Sequence, residues 1–128
     1  MLLKCVNGNG VVVDPCPYPE WVRARYEAAE IDYYVARAEA FTHRNHFSEA
    51  WVYNVLQHVV DPEAVIETAK RQANVLRIFE WLETEPCEGH PHMLHAHELN
   101  DWIGGTGEAG FVNDNGATGL AYWGVFEL

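Results

Sequence analysis

The chain has 128 residues, 48% of them hydrophobic and 12% aromatic, which suits one packed domain and excludes a disordered chain. Its 8 Lys and Arg against 19 Asp and Glu give a net charge of −11. That field repels nucleic acid and anionic membrane surfaces, and the scattered cations (Arg23 and Arg25, Lys70 and Arg71) form no basic patch. Three cysteines (Cys5, Cys16, Cys87) without metal-ligand spacing, no membrane-length apolar run and no signal segment after Met1-Leu2-Leu3 lead to the expectation of a cytoplasmic protein with free thiols.

Val11-Val12-Val13 is β-branched and stops at Asp14-Pro15-Cys16-Pro17, the pattern of a buried strand entering a loop. Pro19 fits the first turn of a helix over 20–29, with Trp21, Val22, Arg25 and Tyr26 as its apolar face. Ile31 to Arg37 reads as a second strand, Thr42 to Ser48 as a polar loop, and Ala50 to Leu56 as a third strand. The last is apolar nearly throughout, as strands buried on both faces are. Asp61-Pro62-Glu63 opens the clearest helix: a capping carboxylate, a proline at the first helical position and acids at the positive end of the dipole. Val75 to Trp81 follows as a fourth strand. A loop rich in Pro, Gly and His runs over 83–93, then a helix over 95–103 stops at Gly104-Gly105. Strands near 110–113 and 120–126 flank Asn115-Gly116, a hairpin signal. The alternation predicts a single α/β domain with right-handed parallel crossovers and an antiparallel closing pair.

Two features of this pattern admit chemistry. His90, His92, His95 and His97 lie close together, with Cys87 nearby, and a His-x-His pair on an extended loop can supply two zinc ligands. His95 falls at a helix N-cap and His97 within that helix, so the four need not converge, and no metal site is expected. A His-rich metal-binding protein stays as an alternative reading. Asp14, taken alone, is equally a turn carboxylate.

The order of motifs resembles class I S-adenosylmethionine-dependent methyltransferases: a strand ending in Asp14, a strand followed by Ala38-Glu39, and the run Trp51 to Pro62. The end of that run, Leu56-Gln57-His58-Val59-Val60-Asp61-Pro62, is similar to the Leu-x-His-Val-x-Asp-Pro pattern common in the family. The resemblance covers nearly the whole chain and implies a partial doubly wound, Rossmann-like sheet, mostly parallel with an antiparallel C-terminal strand. It implies S-adenosylmethionine as cofactor, held by Asp14, Pro15, Ala38, Glu39, Asn54 and Val55, with Asp14 accepting from the ribose hydroxyls. Glu80, Trp81, His90 and His92 would face a small-molecule acceptor, and His58, His90 or His92 would be the base where the acceptor must lose a proton.

One family element has no match: the first strand with its Asp/Glu-x-Gly-x-Gly-x-Gly loop. Asn7-Gly8-Asn9-Gly10 precedes a strand instead of following one, and reads as the C-terminal cap of the family's first helix, with Met1 to Val6 as that helix's last turns. The expectation is an N-terminally truncated domain over 1–128. The strands at Val11–Asp14 and Ala50–Val55 would then pair with each other, await a missing N-terminal segment, or expose an edge that self-associates. A non-catalytic remnant or interaction module with this fold is the alternative function.

Overall fold

The computed structural model describes residues 1–5, 9–114 and 116–128. Its strands are β1 (Leu2–Lys4), β2 (Gly10–Asp14), β3 (Ile31–Val35), β4 (Phe47–Tyr53), β5 (Ala73–Trp81), β6 (Glu108–Asp114) and β7 (Ala117–Glu127). Its helices are α1 (Glu20–Ala28), α2 (Pro62–Gln72) and α3 (Ala96–Ile103), with short 3₁₀ turns at Ala38–Ala40 and Leu56–His58. Among the described residues the seven strands form one sheet in the order β3-β2-β1-β4-β5-β7-β6.

The expected α/β fold is present, but the sheet is mixed, not mostly parallel. Only β2/β3 and β4/β5 pair in parallel among the described strands; β1/β2, β1/β4, β5/β7 and β6/β7 are antiparallel. The largest departure is at the chain start. Leu2–Lys4 is not the end of a helix but a strand, inserted between β2 and β4 with Leu3 opposite both Val11 and Ala50. Of the expected helix cap, Asn7 and Gly8 lie outside the described residues, and Gly10 begins β2. The reversal follows from chain length. Five residues separate Lys4 from Gly10, enough for a hairpin, whereas a parallel neighbour needs a crossover of about a dozen residues or more. Gly10 admits the close pairing, because a Cβ there would stand 2.9 Å from the carbonyl oxygen of Leu3.

The two faces of the sheet are unequal. Leu3, Ala50, Val52, Leu76 and Tyr122 are all fully buried on one face, packed in a single cluster with Val65, Ile66 and Ala69 of α2 and Leu99 and Ile103 of α3. Each large aliphatic there is worth about 1.5–3 kcal/mol of burial. Along the other face run Tyr33, Val12, Leu2, Trp51, Arg77 and Val125, each opposite the next. Among the described residues α1 and the segment before it lie over this side: Tyr26 of α1 sits 6.2 Å from the Tyr33 ring and Tyr18, ahead of the helix, sits 5.1 Å from it. Helix α1 buries none of its residues fully, and Trp21 is 61% exposed with Arg25 over its ring. The apolar face expected of this helix is therefore largely in solvent. The third strand buries Ala50 and Val52 fully on one face while Trp51 and Tyr53 on the other are not buried, starts three residues earlier than expected and stops at Tyr53. The second stops at Val35.

Elsewhere local chemistry sets the elements as anticipated. The Asp61 carboxylate accepts from the Ala64 N–H at 3.0 Å with Pro62 following it, starting α2. Gly104 ends α3 at φ 80°, and α3 begins with the Glu98 carboxylate accepting from the His95 N–H. Strands β6 and β7 close as a hairpin with Asp114 opposite Ala117. Gly116 takes φ 94°, and Asn115 lies outside the described residues.

Candidate functional site

Strands β2, β3, β4 and β5 all run the same way, so their carboxyl ends share one edge of the sheet. The chain leaves β2 for β3 on one side and β4 for β5 on the other. The crevice between β2 and β4 is thus a topological switch point, where open α/β sheets bind their ligands. A cleft of about 570 Å³ opens there, lined among others by Asp14, Pro15, Arg37, Ala38, Glu39, Asn54, Val55 and His58. It brings together all six residues that the sequence marked for cofactor binding, together with His58.

Asp14 ends β2, and both its oxygens are engaged: Oδ1 accepts from the Cys16 N–H at 2.8 Å and Oδ2 from the Tyr18 hydroxyl at 2.7 Å. Burial, and then the Asp14 bond, push the Tyr18 phenol well above its ordinary range. Glu39 lies in the 3₁₀ turn after β3. Its carboxylate accepts from the Val60 N–H at 3.0 Å, and its carbonyl accepts from the Thr68 hydroxyl of α2 at 3.0 Å. Asn54 follows β4 at φ 54°, a left-handed conformation that asparagine tolerates better than most residues. Its N–H donates to Phe79 O at 2.8 Å, holding the end of β4 to β5.

Beneath that turn lies Glu80, fully buried rather than facing an acceptor. Its Oε1 accepts from the Val55 and Leu56 N–H groups at 2.8 and 3.1 Å, while Oε2 has no partner. Burial raises this carboxyl to about 7, against the pull of those two bonds and of the Met1 ammonium. Trp81, at the end of β5, packs edge-on to Phe79 at 5.3 Å and does not line the cleft.

Of the histidines, only His58 lines the cleft. Its Nδ1 meets Gly89 O at 2.8 Å, and since a carbonyl only accepts, that nitrogen carries the proton and Nε2 is left as the acceptor of the neutral ring. His92 donates through Nε2 to Val59 O at 2.9 Å, so it ties the 83–93 loop to the cleft wall. The His90 ring lies 4.3 Å from His58, with Nδ1 3.4 Å from Cys87 Sγ. Among the described residues no three His, Cys, Asp or Glu side chains converge as a metal site, and Cys5, Cys16 and Cys87 are all unpaired. No helix among the described residues is long and apolar enough to cross a membrane.

Sequence reasoning passed over Arg37, Cys16, Gly89 and the Val59-Val60 backbone. Arg37 was detectable as the cation adjoining Ala38-Glu39, and Tyr18 as a hydroxyl four residues beyond Asp14. Gly89, placed on the cleft by long-range packing, carried no local signal.

No family model matches the chain, and no curated protein matches it in sequence. Solved structures match its fold. The N-methyltransferase NodS from Bradyrhizobium japonicum WM9 superposes with a TM-score of 0.63 at 12% identity, over 91% of this chain and 71% of its own. The 1,6-didemethyltoxoflavin-N1-methyltransferase of Burkholderia thailandensis, with 1,6-didemethyltoxoflavin and S-adenosylhomocysteine bound, gives 0.64 at 14% identity, over 88% and 59%. The N-terminal domain of EvdMO1 with S-adenosylhomocysteine bound gives 0.58 at 16% identity, over 84% and 58%. This chain thus spans between 58% and 71% of the length of these structures. Likeness at such identity is a likeness of fold: the chain has an α/β fold resembling that of class I S-adenosylmethionine-dependent methyltransferases, with a mixed seven-stranded sheet.

Proposed function

We propose that this chain is a methyltransferase-fold protein whose cleft takes the adenosine part of S-adenosylmethionine or S-adenosylhomocysteine. One observation carries the reading: Asp14, Ala38, Glu39, Asn54 and Val55, from the ends of three different strands, line a single cleft at the switch point. Each Asp14 oxygen accepts one internal bond and keeps a further lone pair for a ribose hydroxyl. Glu39 supplies a second carboxylate, and the short Ala38 side chain leaves room for a flat base. Bound S-adenosylmethionine would supply an electrophilic methyl group. The protein's own part would be to hold the nucleoside and, at His58 Nε2, to take a proton from a small-molecule acceptor. The residues fit the nucleoside half of the cofactor. In our reading the reversed β1 stands where the family's first strand would lead into its glycine-rich loop.

The test is calorimetric titration with S-adenosylmethionine and S-adenosylhomocysteine. Saturable binding is expected, weakened about tenfold in Asp14→Ala, and in Glu39→Gln as a variant that keeps the acceptor for Val60. A folded chain that binds neither compound would sink the reading.

A second reading, a non-catalytic interaction module, is favoured by the bare side of the sheet. There Tyr53 (48% exposed), Phe79, Trp123 and Val125 (61% exposed) line a groove of about 750 Å³ that no helix of the described residues covers. Self-association or a preceding segment would cover it. Light scattering of the wild type and Val125→Lys decides this: a dimer that the lysine disperses supports the module, and a monomer in both removes self-association.

A further inference from the structure

The loop from Asp14 to Tyr18 borders two hollows. Asp14, Pro15 and Cys16 line the cleft at the switch point, whereas Pro17 and Tyr18 line a separate groove of about 550 Å³ between α1 and the edge strand β3. That volume lies within the ordinary range of small-molecule sites. Helix α1 supplies Tyr26 and Glu27 to the groove, and β3 supplies Asp32 and Tyr33. Helix and strand do not close over it: α1 buries no residue fully, and Val35, which also lines the groove, is 61% exposed. Three tyrosines gather here. The ring centroids of Tyr18, Tyr26 and Tyr33 form a triangle with sides of 5.1, 5.9 and 6.2 Å. A point in front of that triangle lies within about 6 Å of all three centroids, the reach of a cation–π contact. Two of the rings are held by their own hydroxyls, since Tyr18 donates to Asp14 at 2.7 Å and Tyr33 donates to Cys16 O. A ligand therefore need not order them.

The charges beside the rings select the sign of that ligand. Glu27 and Asp32 line the groove and form no ion pair among the described residues, while Arg23, the one Lys or Arg that lines it, is bridged to Glu20. The chain as a whole carries a net charge of −11, so a cation is drawn to the groove and an anion is kept from it. A quaternary ammonium suits this lining better than a primary one. The primary ion is strongly hydrated and has N–H groups to satisfy, whereas aromatic rings recognise the quaternary form through their π-faces.

We propose that the groove between α1 and β3 is a binding site for a small organic cation of the quaternary ammonium class, held by Tyr18, Tyr26 and Tyr33 with Glu27 and Asp32 beside it. The site is separate from the cleft and does not depend on what the cleft binds. The bond from Tyr18 to Asp14 joins the two, because one of the rings that meets the cation is fixed by a residue of the cleft wall.

The experiment is calorimetric titration of the full chain with choline and with 3,3-dimethyl-1-butanol, the neutral compound of the same shape. Choline is expected to saturate and to bind about fivefold or more tighter than its neutral counterpart. Tyr26→Leu keeps an apolar side chain over β3 and is expected to weaken choline about fivefold. Glu27→Gln combined with Asp32→Asn changes two exposed positions, leaves the rings intact and is expected to narrow the gap between choline and the neutral compound. Phosphocholine, whose phosphate the two carboxylates repel, is expected to bind about tenfold more weakly than choline, which separates a free cation from a lipid headgroup. Equal binding of choline and its neutral counterpart would overturn the proposal, as would equal binding of choline and phosphocholine. Choline affinity unchanged in Tyr26→Leu, or a folded chain that binds no choline, would overturn it equally.

Discussion

Glu80 contributes stability at low pH that is lost as the pH rises. The carboxyl is fully buried with one oxygen unpartnered, and burial raises it from its ordinary 4.5 to about 7. A raised acid holds its proton more tightly folded than unfolded, so its stabilisation is complete below about pH 4.5 and is lost as pH climbs through about 7. At about 1.4 kcal/mol per unit, the shift amounts to about 3 kcal/mol across that window. The Glu80→Gln variant removes the titration while keeping a carbonyl acceptor for the Val55 and Leu56 N–H groups. Its amide nitrogen inherits the unpartnered place of Oε2, at a cost of about 1–3 kcal/mol. Urea unfolding at several pH values between about 5 and 8, followed by tryptophan fluorescence, reads the difference between the two proteins directly. The wild type is expected to lose about 3 kcal/mol relative to Glu80→Gln from the acid to the alkaline end. Parallel pH profiles in the two proteins would refute the reasoning.

Two further substitutions probe local chemistry. Asp61→Ala removes the carboxylate that accepts from the Ala64 N–H and should cost about 1 kcal/mol, measured as a urea midpoint shift without change of slope. Gly107→Ala would drive a Cβ into the ring of fully buried Tyr122, whose hydroxyl donates to Asn100 at 2.9 Å. A loss of about 1–3 kcal/mol in chemical unfolding is expected, where an ordinary loop Gly→Ala change would stabilise slightly.

The elements that the sequence made plain were those whose cause is local. Asp61-Pro62 caps a helix wherever it falls, Gly104 ends one, and a two-residue loop joins β6 to β7. Strand β1 was hidden because three residues, Leu2-Leu3-Lys4, carry no period and their pairing is wholly long-range. Glu80 was placed facing an acceptor by the family resemblance, yet the alternation Leu76, Ile78, Glu80 already put it on the inward face. The gathering of Asp14, Ala38, Glu39, Asn54 and Val55 was legible through family resemblance and not through any local signal, since each is unremarkable alone. The same resemblance misplaced the chain start, because it assigned residues 1–6 by the order of elements without testing whether so short a connection could hold them there.

The antiparallel course of β1 is compatible with the cleft for a geometrical reason. The cleft is built on the carboxyl ends of β2 and β4, and a strand between them needs only to hold the two apart at ladder spacing, whichever way it runs. Leu3 is the pivot of that arrangement: fully buried, opposite Val11 on one side and Ala50 on the other. Leu3→Ala should therefore do more than open a cavity worth about 2–5 kcal/mol. It should loosen the join between the β3-β2 pair and the β4-β5-β7-β6 block, so that amides of β2 exchange faster while those of β5 keep their protection. Hydrogen exchange resolved by residue separates this from uniform destabilisation, in which β2 and β5 would lose protection together. Equal loss would mean that the sheet unfolds as one unit and that β1 is merely a filled gap. Selective loss in β2 would make three residues at the chain start the element on which both walls of the cleft depend.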